Sequence, residues 1–81
     1  MADRHQLRQA RQCLDLTLAE VGRVVGLPRS TISMVEGGSR DMQDVVAKLA
    51  AFFESRGIRF GSEGQVHLPG ALQKVGGRPV N

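Results

Sequence analysis

Apolar residues Leu7, Ala10 and Leu14 recur at helical spacing near the start of the chain, with Arg4, Arg8 and Gln12 elsewhere on the wheel. The spacing predicts an amphipathic helix over Asp3 to Leu14, with Asp3 as N-cap because a carboxylate suits the positive end of a helix. Cys13 falls on the inner part of this pattern and is expected to be a buried thiol. After the link Asp15-Leu16, a second group (Leu18, Val21, Val25) and a third (Ile32, Val35) each keep helical spacing. Only Gly26-Leu27-Pro28 separates them, which is room for a tight turn and nothing more. Thr17 as N-cap and Glu20 three residues on form a capping box, and Leu16 just before the cap fits a hydrophobic staple. Gly26 supplies the positive φ of a sharp stop, because it has no Cβ to clash. Pro28 has no N–H to lose at a helix entry, so the next helix begins at Arg29.

Gly37-Gly38-Ser39-Arg40 reads as a flexible link, and Asp41 then caps a fourth helix with Asp44 in its first turn. Val45, Val46, Leu49, Phe52 and Phe53 are its apolar stripe, and Ser55-Arg56-Gly57 ends it, with Gly57 just past the last turn. There the period drops to two. Ile58-Arg59-Phe60 and Val66-His67-Leu68 alternate around a glycine-containing loop, which predicts a short β-hairpin. A lone hairpin is marginal in water, so it packs either on its own helices or on a second hairpin from another subunit. The second is the expectation, with Ile58, Phe60, Val66 and Leu68 as the dimerisation element. Residues 69–81, rich in Gly and Pro, read as a flexible tail. The expected fold is therefore mainly α: a four-helix domain over residues 1–57, the hairpin over 58–68, then the tail.

Gly22 adds meaning to the central helix pair. A glycine inside a helix costs about 1 kcal/mol relative to alanine. That cost is offset where the middle of one helix crosses the backbone of the next and a side chain would hold them apart. Two short helices with a tight glycine-containing turn make a helix-turn-helix. Gly22, Gly26 and the apolar set Val21, Val25, Leu27, Ile32 and Val35 resemble that signature. Ser30 to Gly38, which reads Ser-Thr-Ile-Ser-x-x-Glu-x-Gly, resembles the Cro/repressor (XRE-like) class of transcriptional regulators.

The resemblance implies a phage-repressor-like domain whose recognition helix, residues 29–36, enters the major groove with its N-terminal residues toward the base edges. Ile32 and Val35 face the core, so Arg29, Ser30, Ser33 and Met34 are expected to face outward. Arg29 is the best base reader, since a guanidinium makes two bonds to guanine O6 and N7. Ser30 can bond a base or a phosphate, Met34 can meet a thymine methyl, and Thr31 and Ser33 are secondary candidates. Many members of the class start the first helix of the motif with a phosphate-gripping glutamine. Here Leu18 stands in its place, leaving only backbone N–H groups to hold a phosphate. Arg23, Ser39, Arg40 and Gln43 are the nearest substitutes by position. Arg11 lies near an apolar face, an odd place for arginine. The class implies a partly buried structural ion pair between it and Glu36, which closes the recognition helix.

With 81 residues there is room for one small domain. There is no Trp or Tyr, and Phe52, Phe53 and Phe60 are the only aromatic residues, so the core must be aliphatic. A net charge of +3 and a pI near 10.0 permit nucleic-acid binding without proving it. A single cysteine forbids an intrachain disulfide. No apolar run suits a membrane span or a signal peptide, which makes a soluble, cytoplasmic protein the expectation. His5 and His67 have no cysteines or clustered acids at metal-ligand spacing. No phosphate loop, dinucleotide fingerprint or nucleophile elbow appears, so no catalytic residue, metal or cofactor is assigned. The reading is a dimeric regulator binding an inverted-repeat operator in double-stranded DNA. The rival is an interaction protein, an antitoxin or antiactivator that neutralises a partner protein, for which only the tail could serve as the binding segment.

Overall fold

The computed structural model describes residues 2–38 and 42–69. The elements run α1 (Arg4–Cys13), α2 (Leu18–Val25), α3 (Arg29–Gly37), α4 (Gln43–Ser55), β1 (Arg59–Phe60) and β2 (Val66–His67). The fold is mainly α, four helices followed by a two-stranded antiparallel hairpin that pairs Arg59 with His67 and Phe60 with Val66. The core is aliphatic around one ring: Leu7, Ala10, Val21, Ile32, Val35, Leu49, Phe53 and Ile58 are buried together.

Each helix end has a local cause. Asp3 accepts the N–H of Gln6, and the Gln6 side chain accepts the N–H of Asp3, so α1 opens on a capping box. Thr17 and Glu20 form the same reciprocal pair at the start of α2. Hydrogen bonds to the Glu20 carboxyl, from the Thr17 backbone N–H first and its hydroxyl second, hold it below the usual range, against the opposing effect of desolvation. Gly26 ends α2 at φ 77°, and Gly38 ends α3 at φ 74°. Gly37, read as part of a link, is the last residue of α3. The N-cap of α4 is Met42, with no side-chain cap bond, so the helix starts one residue later than a cap at Asp41 requires. Asp41 itself lies outside the described residues.

Cys13 is exposed, not buried. At about 100° per residue it stands about 120° from Leu7 on the helix wheel, off the stripe that faces the core. Gln6 sits on that same flank yet is buried, 2% exposed, because the hairpin covers it. Its side-chain amide Nε2 donates to the carbonyls of Gly61 and Gln65, both at 2.8 Å. The hairpin thus docks on the chain's own α1. Ile58, assigned to dimerisation, is fully buried in the chain's own core, which leaves Phe60, Val66 and Leu68 half-buried at its edge. Pro69, assigned to the tail, is also half-buried, beside Gly57.

The crossing of α2 and α3 depends on Gly22. A Cβ there would stand 2.5 Å from the Leu27 carbonyl oxygen and 3.4 Å from the Arg29 nitrogen, backbone atoms that cannot swing aside. Gly22→Ala should therefore destabilise the fold by about 1–3 kcal/mol through overpacking, overriding the gain of about 1 kcal/mol that alanine brings to a helix. A lower urea midpoint is the expected result; a higher one would mean that the helices do not cross this closely.

Candidate nucleic-acid interface

Helix α3 packs on α1, α2 and α4. Ile32 and Val35 are buried in the core, and with neighbours on three sides only a narrow strip of the helix stays open. Arg29, Ser30, Ser33 and Gly37 are exposed and lie along that strip at helical spacing, while Thr31 is half-buried on its flank. Met34, expected to face outward, is half-buried as well, because three packed neighbours leave less of the helix open than a wheel drawn for one buried face. From Arg29 to Gly37 the strip runs about 12 Å at 1.5 Å per residue. Three of its four residues are small, so the α3 backbone is free to come close to a binding partner.

Arg11 holds the far end of α3. Its Nε donates to Glu36 Oε2 at 2.8 Å and its Nη2 to Glu36 Oε1 at 3.0 Å, a two-pronged pair. Nη1 reaches the Leu16 carbonyl at 2.9 Å, which binds the α1–α2 link into the same node. The side chains of Arg11 and Glu36 are 14% and 8% exposed. The Arg4 side chain lies over Gly38, where a Cβ would be 2.8 Å from its Nε, and so places a positive charge at the negative end of α3.

The remaining assigned positions lie on other segments of the chain. Leu18, the first residue of α2, is half-buried and packs against the core. The capping box uses the N–H groups of Thr17 and Glu20, so the N–H groups of Leu18 and Ala19 keep no acceptor within the described residues. Arg23 is exposed in the last turn of α2, and Gln43 is exposed at the start of α4. Ser39 and Arg40 lie outside the described residues. An open groove of about 240 Å³ runs between α1, the start of α2 and α3, lined by Arg8, Arg11, Leu18, Ser33, Glu36 and Gly37. Arg8 is absent from the sequence assignments, where it reads only as a solvated residue on the polar side of α1.

A family model described as a helix-turn-helix domain matches residues 4–55. The chain belongs to the helix-turn-helix domain family. Membership supports DNA binding, and the matched span covers all four helices, including the node at Arg11 and Glu36. No curated protein and no solved structure matches the chain. Among the described residues, no helix of this helix-turn-helix protein is long and apolar enough to cross a membrane.

Arg11→Ala strands the Glu36 carboxylate in a largely buried site, and removing one partner of a buried pair costs about 3–5 kcal/mol. The variant should melt well below the parent protein. A melting temperature that did not move would mean that the pair adds nothing to the fold.

Proposed function

We propose that this helix-turn-helix protein is a sequence-specific transcriptional regulator of the Cro/repressor (XRE-like) type, acting as a homodimer on an inverted-repeat operator. The observation that carries this reading is the open strip of α3. Arg29 stands exposed at its N-terminal end, and Ser30, Ser33 and Gly37 behind it keep the helix slim enough to enter a major groove. Arg29 bonds a guanine edge in two places, while Ser30, Ser33, Thr31 and Met34 supply smaller contacts to neighbouring bases. The N–H groups of Leu18 and Ala19 hold a phosphate on one side of the groove, and Arg23 and Gln43 add contacts to the DNA backbone.

Two features favour a dimer built on the hairpin. Among the described residues the sheet has two strands and no third flanks them, and Phe60, Val66 and Leu68 keep apolar surface at the rim of the core. Pairing of two such hairpins would hold the recognition helices at a fixed separation, and an inverted-repeat operator requires about 34 Å, one turn of the duplex. The alternative role, neutralising a partner protein, would draw on the segment after Pro69, which lies outside the described residues.

The deciding measurement is a salt titration of binding to DNA upstream of this protein's own gene, against a scrambled duplex. Tight binding to the first alone, falling steeply as salt rises, is the expected result; equal weak binding to both would sink the regulator reading. Arg29→Ala should cost about 1–3 kcal/mol on the operator and relax the preference at one base pair. Equal weakening on every sequence would make Arg29 a phosphate contact instead.

A further inference from the structure

We infer that Arg8 is a phosphate-binding residue, set in the groove beside α3 to grip the backbone of a nucleic-acid duplex; this rests on the DNA-binding reading above. Three charged side chains line that groove: Arg8, Arg11 and Glu36. Arg11 and Glu36 neutralise each other through their two-pronged pair, and Arg11 directs its remaining donor to Leu16. The Arg8 side chain is exposed and forms no hydrogen bond or ion pair among the described residues. The net positive charge of the groove is therefore the charge of Arg8, with its donors still free.

Its position matches the open strip of α3. Ser33 and Gly37 line both the strip and the groove, and Arg29 marks the opposite end of the strip. A duplex lying along α3 thus meets a cation at each end, Arg29 on α3 and Arg8 on the neighbouring α1. Leu18, the groove's lining residue from α2, is apolar, so the charged side-chain contact with an anion has to come from α1. The groove's volume of about 240 Å³ leaves room for a phosphate with bridging waters, since one water needs only about 10–15 Å³ of such space. A guanidinium forks onto two phosphate oxygens, and the one carboxylate that lines the groove, Glu36, is already held by Arg11.

The test compares the full-length protein with Arg8→Ala and Arg8→Lys. Binding to the upstream duplex and to the scrambled duplex is measured by fluorescence anisotropy across a salt series. Arg8→Ala should weaken both complexes by the same factor, roughly tenfold for loss of one charged hydrogen bond. The slope of log K against log salt should fall by about 0.9, one phosphate contact fewer. Arg8→Lys should restore the slope, which a packing role for the side chain would not predict. Unchanged affinity and slope in Arg8→Ala, with the parent protein binding normally, would overturn the assignment and leave the regulator reading standing. A loss confined to the upstream duplex would also overturn it, since a phosphate contact carries no sequence information. Failure of the parent protein to bind either duplex would overturn both readings.

Discussion

Arg11 directs its three donor nitrogens to two places, the Glu36 carboxylate and the Leu16 carbonyl, and the position of α3 follows from that division. The first joins α1 to the end of α3, and the second fixes the link that delivers the chain into α2. Without it the pair of crossed helices would still have its tight turn, but only the longer bond from Arg4 Nη1 to the Glu36 carbonyl, 3.4 Å, would tie the end of α3 to α1. Arginine suits the task because its fork is planar and stays charged. The interaction is partly desolvated, so its geometry is worth more than that of a surface pair, and the same desolvation makes each partner costly to leave alone.

Helix α3 needs such support. It has nine residues and no side-chain cap at its N-terminus. Isolated helices below about 12–15 residues are marginal in water, so α3 is held by its neighbours. Ile32 and Val35 anchor one side, Gly22 lets α2 lie against its start, and Arg11 and Arg4 hold its end. All of this lies on the inner side of the helix or at its ends. The open strip carries almost none of the stability, and its residues are therefore free to serve binding.

Much of this frame was legible because local chemistry leaves local marks. The Thr17–Glu20 box, the left-handed Gly26 and the glycine at the crossing each follow from residues only a few positions apart. The hairpin registered through its change of period. What escaped depends on contacts distant in sequence. The capping box at Asp3 and Gln6 has the same three-residue spacing as the one at Thr17, so half of the role of Gln6 was readable. Its other half, two bonds to carbonyls more than fifty positions away, was not. Cys13 and Met34 fail for related reasons: the flank of α1 is covered only where the hairpin reaches, and α3 has more neighbours than one apolar face announces. Arg8 is ordinary until the groove beside it exists.

Helix α1 gains a further meaning from these long-range bonds. Gln6 ties it to the hairpin, and Arg11 ties it to α3. The two residues are five positions apart, about 7.5 Å along the helix axis, on one rigid element of ten residues. If hairpins pair between subunits, the position of one hairpin passes to α3 through a single helix rather than through a chain of loops. A rigid connection of this kind keeps the separation of two recognition helices nearly constant, so a dimer would favour one half-site spacing and reject others by strain. The capping box that opens α1 and the ion pair near its end then serve the same purpose, since fraying at either end would loosen one of the two attachments.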